Sequence, residues 1–260
     1  MAVPPIIVRN RILAGMAPEL FARLRPYLHP IALKRRTILQ EHNRTIEHIY
    51  FIERGVASLV APCQRDGPVE VAIIGRFGFV GVAAVLGTMS SPNRCLMEVS
   101  GEALRITSND LQHIMEKVPL VRQHLLTYVH ALLIQNTQTS LCNIRHQIEE
   151  RLCRWLLLAS DRLDDNVVPL THDQLSIILG IRRAGVTTSL ATLEEIGAVR
   201  KRRGAVEIAD RAVLEAKSCE CYRIIASEYN RVANSSPYQH SINGTTERAY
   251  RRSGHPAITA

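Results

Sequence analysis

The sequence contains no run of about 18 consecutive uncharged apolar residues, the length that a helix needs to cross a bilayer. The longest candidate, VEVAIIGRFGFVGVAAVLG, is broken by Arg76 and four glycines. The opening stretch, MAVPPIIVRNRILAG, lacks a basic segment followed by a long apolar one, so it does not read as a secretory signal. These absences set the expectation of a cytoplasmic chain with no membrane partner. Metal and catalytic signatures are missing too. No C-x-x-C pair occurs among the six cysteines, and the only close pair, Cys219-x-Cys221, is a poor zinc signature without a second half. The ten histidines form no H-x-x-x-H motif. No metal site, cofactor or enzymatic activity is expected. Cys142 and Cys153 read as buried, unreactive thiols.

What is present suits a globular protein of two domains. The chain has 260 residues, 46% of them apolar, enough to build a core. Lys and Arg number 32 against 24 Asp and Glu, a net charge of +8. That balance suits a polyanionic partner, although charge speaks to association and not to fold.

Along the chain, residues 1–30 read as helical, with Leu13, Leu20, Leu24 and Leu28 near one face. From about Ile31 to Ile106, short β-rich runs alternate with Gly, Pro, Asn and Asp, the pattern of a sandwich or barrel. The period then turns helical. A long helix is expected from Pro119 to about Asn143, with Val121, Leu125, Tyr128 and Leu132 spaced 4, 3, 4 as an a/d seam. Such a narrow stripe after a complete β domain is expected to seek a second copy of the chain. A further helix, IEERLCRWLLLASDRL, carries the single Trp, Trp155, as a core residue. Residues 233–260 are polar, rich in Pro, Gly and Ser and without periodicity, so a disordered tail is expected there.

The stretch THDQLSIILGIRRAGVTTSLATLEEIGAVRKRRG, from Thr171 to Gly204, carries the sharpest signal. Thr171 and Gln174 form a capping box that starts a helix, Leu175, Ile178 and Leu179 give it an apolar face, and Gly180 ends it. A second helix buries Val186, Leu190 and Leu193 and turns Arg183, Thr187, Thr188 and Thr192 outward. Between Leu175 and Ala191 there is no Asp or Glu. This is a helix-turn-helix, whose second helix can enter the major groove. The following AVRKRRGAVEIA reads as two short strands around a basic turn, a wing that can meet phosphate, with Arg202 at the turn.

Over about residues 10–212 the chain resembles the Crp/Fnr family of bacterial transcription regulators. The resemblance rests on the β region with GRFGFVGVAAVLG, the long helix after KVPLV and the winged LTHDQLSIILGIRRAGVTTSLATLEEIGAVR. It implies an α+β fold. An N-terminal cyclic-nucleotide-binding-type β-barrel (a jelly roll) would span 10–118, a dimerisation helix 119–143, and a winged helix-turn-helix 144–212. It further implies a homodimer that binds double-stranded DNA at pseudo-palindromic promoter sites, with RNA polymerase as another partner.

Residue by residue, the family's base-reading Arg falls at Arg183. The Glu that usually follows is Ala184, a second DNA-contacting Arg falls at Thr188, and the usual Ser or Thr at the helix start is Arg182. Thr171, Arg182, Arg183, Ala184, Thr187, Thr188 and Arg202 are the expected DNA-facing set. In the barrel the family's Gly-Glu stretch falls at Gly81-Val82, the Arg-Ser pair at Arg94-Cys95, and the base-contacting helix positions at Asn136 and Thr137. With Val82 replacing the ribose-binding Glu, loss of cyclic-nucleotide binding is expected. No Cys precedes Cys63, which argues against the family's N-terminal iron–sulfur cluster. The competing reading is a small-molecule or cyclic-nucleotide sensor module acting through protein contacts.

Overall fold

The computed structural model describes residues 8–65 and 67–234. It begins with two short helices, α1 (Arg11–Ala14) and α2 (Pro18–Leu24). Asn10 caps α1 by accepting from the backbone N–H of Ile12 and Leu13. Its amide also donates to the carbonyls of Ile52 and Gly78, so the cap pins α1 to the sheet.

Six strands follow: β1 (His29–Leu33), β2 (Ile38–Gln40), β3 (His48–Ala61), β4 (Val69–Ile74), β5 (Phe79–Val80) and β6 (Arg94–Thr107), with helix α3 (Val82–Leu86) after β5. They form one antiparallel sheet in the order β1-β6-β3-β4, with β2 also on β6 and β5 also on β3. The spine is the pairing of β3 with β6, 14 residues each. It is interrupted by register shifts between Ile52 and Ala57, and such bulges bend a strand and strengthen its twist. Gly55 has a left-handed φ of 86°, and Gly101 lies so close to the Arg54 carbonyl that a Cβ would collide. The barrel expected from the sequence is therefore a single sheet folded over at this glycine-marked bend.

The second half is helical: α4 (Ser108–Lys117), α5 (Pro119–Arg145), α6 (Ile148–Leu163), α7 (His172–Leu179), α8 (Arg183–Glu195), α9 (Arg211–Lys217) and α10 (Glu220–Asn234). A small sheet in the order β7-β9-β8, built from β7 (Val167–Val168), β8 (Val199–Arg202) and β9 (Ala205–Ile208), forms the wing.

Two expectations are corrected here. Val121, Leu125 and Tyr128 are 0% exposed and Leu132 is 5% exposed within a single chain. The Tyr128 ring lies 4.6 Å from that of Phe79 and so close to Gly78 that a Cβ there would overlap it. The 4-3-4 stripe therefore packs on the chain's own sheet and is not available to a partner. Spacing alone cannot tell a seam facing a sheet from one facing a second helix. The outward stripe of α5 is a different one, with Leu133 58% and Ile144 80% exposed and Leu141 also exposed.

The second correction is α10, which the expected boundaries omitted. Cys221, Ile225, Tyr229 and Val232 recur at helical spacing and are buried. The helix packs back along α5, with Tyr229 6.2 Å from Tyr128, and reaches Asn234. Ala233 and Asn234 are thus helical, while the rest of the expected tail, 235–260, lies outside the described residues. Where α5, α6, β4 and α10 meet, the buried Arg162 donates to the carbonyls of Ile73 and Leu158 and to Gln135, and stacks 4.9 Å over Tyr229. A buried guanidinium needs this many acceptors because water no longer supplies them.

Candidate nucleic-acid interface

Helix α7 starts where the sequence placed it. Thr171 accepts from the Gln174 N–H, and Gln174 accepts in return from the Thr171 N–H at 3.0 Å. Gly180 ends the helix in the left-handed region at φ 62°. Three residues later α8 begins at Arg183, with Arg182 as its N-cap. Leu175, Ile178 and Leu179 of α7 and Val186, Leu190 and Leu193 of α8 are buried, and this core fixes the angle between the helices.

The opposite surface is open. Thr171, Arg182, Arg183, Ala184, Thr187 and Thr188 are all exposed. Arg183 lies 3.1 Å from Asp173, with both side chains about two-thirds exposed. An ion pair in that setting is worth about 0–1 kcal/mol, so it preorganises the arginine without holding it back from another anion. His172 bonds the Thr187 hydroxyl at 3.1 Å across the two helices. Gly185 needs no special backbone, and a Cβ there would meet Ile148 and Ile181 only at ordinary contact distance.

In the wing, Arg202 is the last residue of β8, paired with Ala205, so the turn itself is Arg203-Gly204. This corrects the expected placement of Arg202 at the turn. Arg202 is held by Glu207 at 2.7 Å, as is Arg200 at 3.4 Å, and Lys201 pairs with Glu194 at 2.7 Å. These contacts keep the Glu207 and Glu194 carboxyls below the usual carboxylate range, the Arg202 and Lys201 hydrogen bonds being the leading causes. Arg203 is exposed at the tip, and Gly204 at φ 74° supplies the left-handed residue that the tight turn requires. Alternation along the strand, visible in the sequence only once its edges are known, separates the clamped arginine from the tip one.

The expected effector residues converge only in part. Gly81, Val82 and Asn136 line a largely apolar cavity of about 290 Å³ with Leu59, Ile74 and Leu132. Cys95 is buried in the adjacent sheet core, where desolvation pushes its thiol up. Thr137 is exposed and its hydroxyl donates to the Leu133 carbonyl. Arg94 lines a separate cavity of about 410 Å³ between the sheet and α7. There it makes a bidentate pair with Glu41, 2.8 Å at both contacts. Hydrogen bonding from Arg94 is the main reason the Glu41 carboxyl is held down at about 2. The phosphate-neutralising candidate is already neutralised by a carboxylate, and it lines a different cavity from Val82.

Sequence reasoning missed the weld between the two halves. The indole of Trp155 on α6 donates to Glu70 of β4 at 2.6 Å, and the Ser58 hydroxyl also donates to that carboxyl. Burial nonetheless pushes the Glu70 carboxyl up to about 7. Nothing in the one-dimensional pattern marked Glu70, because its partners lie 12 and 85 residues away.

Residues 150–217 match the family model for the Crp-like helix-turn-helix domain, a span that runs from α6 through α9. No curated protein matches the chain significantly. Among solved structures, the fold is similar to that of a putative transcriptional regulator of the Crp/Fnr family from Eubacterium rectale, at 15% identity and a TM-score of 0.61, covering 79% of this chain and 96% of that one. It is equally similar, at 15% identity and a TM-score of 0.61, to the c-di-GMP-responsive global regulator CLP of Xanthomonas campestris, covering 75% and 100%. FixK2 of Bradyrhizobium japonicum follows at 14% identity and a TM-score of 0.61, covering 74% and 98%. The α+β architecture expected from the sequence is thus the fold of Crp/Fnr regulators, with a Crp-like helix-turn-helix domain in its C-terminal half. Among the described residues, no helix is long and apolar enough to cross a membrane.

Proposed function

We propose that this chain, which bears a Crp-like helix-turn-helix domain on the Crp/Fnr fold, is a DNA-binding transcription regulator and not an enzyme. The observation that carries this is the exposed face of Arg182, Arg183, Thr187 and Thr188 at the front of α8, with no acidic residue on that helix before Leu193. A recognition helix reads bases with its N-terminal residues, and an arginine there can address a guanine's O6 and N7 together. Arg203 at the wing tip supplies a phosphate contact of the kind that positions without reading sequence. Ala184 offers no acceptor for a cytosine amino group, so the preferred half-site differs from one read by Arg followed by Glu.

The chain acts as a homodimer on pseudo-palindromic promoter sites, from which it engages RNA polymerase. The dimer face is the outward stripe of α5 with Leu133, Leu141 and Ile144, in place of the buried 4-3-4 stripe. Exposed leucine and isoleucine recurring along one long helix are what a partner helix covers. Cyclic-nucleotide binding is lost, because Val82 lacks the carboxylate and Arg94 is clamped by Glu41 away from the inner cavity. A second reading, an effector site for an uncharged small molecule, is favoured by one observation. The Oδ1 of Asn136 is buried beside the inner cavity without a hydrogen-bond partner.

The deciding experiment is a binding titration of the wild type and Arg183→Ala on a selected and a scrambled duplex at several salt concentrations. The expected result is salt-dependent binding by the wild type. The variant loses about 1–3 kcal/mol on the selected site only. Equal affinity of the wild type for both duplexes, or no loss of discrimination in the variant, removes base reading by α8.

A further inference from the structure

Three thiols and an imidazole converge where α5 ends and α10 begins, and the DNA-facing surface uses none of them. Cys142 lies in the last turn of α5 and His146 immediately after it, at the i, i+4 spacing that puts two side chains on one face. Cys219 and Cys221 flank Glu220, the first residue of α10. The three cysteines are buried together as a cluster of their own, and His146 closes its solvent side half-buried.

The geometry is that of a coordination sphere. The four donor atoms all lie within 4.8 Å of one another. Cys142 Sγ is 3.5 Å from Cys219 Sγ, and Cys221 Sγ is 3.6 Å from His146 Nδ1. A tetrahedral ion with bonds of about 2.3 Å to sulfur and about 2.0 Å to nitrogen spaces its ligands about 3.5–3.8 Å apart. A disulfide would bring its two sulfurs to about 2.05 Å and leave the other two ligands idle.

Two neighbours fit the same reading. The other ring nitrogen of His146, Nε2, lies 3.5 Å from Glu220 Oε1, and metal-bound histidines characteristically offer that second N–H to a carboxylate. Arg154 is buried, its guanidinium reaches Cys142 and Thr139, and its Nε has no hydrogen-bond partner. Three thiolates around a divalent cation leave a net negative charge, which this buried guanidinium complements.

We propose that Cys142, His146, Cys219 and Cys221 form a closed tetrahedral site for a zinc-class divalent ion. Thiolate and imidazole ligands select such an ion over hard cations, and four protein ligands leave no open position for a substrate. On binding, the ion replaces the thiol protons, which pass to solvent. The site is a clip. It fastens the chain leaving the wing to the joint between α5 and α6, so the long helix and the helix-turn-helix are tied by one ion.

The test is cobalt titration of the full-length chain after stripping with a chelator under reductant. The expected result is one cobalt per chain, with thiolate charge-transfer bands in the near ultraviolet and the intense visible bands of a tetrahedral site. Both are erased by an equivalent of zinc. Cys142→Ser and Cys221→Ser abolish the charge-transfer bands or weaken binding strongly, Glu220→Gln weakens it about 10–100-fold, and Cys63→Ser leaves it unchanged. If a cysteine variant fails to fold by circular dichroism, His146→Asn, at the solvent edge, reports instead by altered visible bands. Absence of these bands in the reduced wild type overturns the site. So does uptake that His146→Asn and Cys221→Ser leave intact. A Cys142–Cys219 disulfide found by mass spectrometry, with no cobalt uptake after its reduction, overturns it equally.

Discussion

The front of α8 and the contacts around the sheet treat their arginines in opposite ways. On α8, Arg183 is two-thirds exposed and leans on an equally exposed Asp173. In the sheet domain, Arg94 is gripped at both ends of its guanidinium by Glu41, and on α6, where the halves meet, Arg162 is buried among three acceptors and an aromatic ring. An arginine with a weak, solvated partner can exchange it for a phosphate or a guanine at little cost. A buried one such as Arg162 cannot, because leaving its partners strands a charge in the interior, and Arg94 must first break a bidentate pair. The front of α8 thus keeps its cations available, whereas Arg94 and Arg162 serve the protein's own architecture.

The sharpest break between the halves is predicted within α5. Leu125→Lys puts a charge among buried residues of the sheet half and is expected to cost more than about 4 kcal/mol, unfolding the chain in thermal melts. Leu133→Lys with Ile144→Lys alters only the outward stripe, leaving the melting temperature of the sheet half near that of the wild type while sedimentation shows monomers. If Leu125→Lys stays folded and only dissociates, the inward stripe is a dimer seam after all.

The weld at Glu70 gives the next largest effect. A carboxyl raised from 4.5 to about 7 binds its proton more tightly folded than unfolded, so stability is fullest below pH 4.5 and is lost as pH rises toward 7. Glu70→Gln keeps an acceptor for Trp155 and a donor for Ser58 and has no proton to lose. It is expected to raise stability by about 1–3 kcal/mol at pH 8 and to leave it unchanged at pH 4.5. Denaturant midpoints across that range check it. A gain that does not grow with pH would show that the Glu70 carboxyl is ionised without penalty.

Gly185→Ala tests the recognition helix by itself. The position has room for a methyl group and helical geometry, so alanine should stabilise α8 by about 1 kcal/mol. Destabilisation would mean that α8 relies on an irregular backbone there. The smallest effect separates the two wing arginines. Arg203→Ala is expected to weaken specific and random duplex alike and to lower the salt slope by about one unit, while Arg202→Ala, already paired with Glu207, changes the slope less. The reverse order would place the phosphate contact on the strand and not at the tip.

The sequence by itself determined much of what depends on neighbours within a few residues. The capping box at Thr171, the left-handed stop at Gly180, the buried 186–190–193 face and the acid-free front of α8 all follow from local spacing, and the structure has them where the spacing put them. The helical repeat of α10 was equally legible at 221, 225, 229 and 232, although the expected boundaries passed over it. Tertiary structure alone decided which stripe of α5 turns inward, since the choice rests on Phe79 and Gly78 approaching Tyr128 from some 50 residues away. It alone turned Arg94 away from the inner cavity toward Glu41, and drew Trp155 to Glu70. It also brought Cys142 and His146 to Cys219 and Cys221, across 77 and 75 residues of chain. Helical spacing is a property of the backbone and is written in the order of residues. Which distant surface meets a given face depends on loop closure and core packing, and no local pattern encodes it.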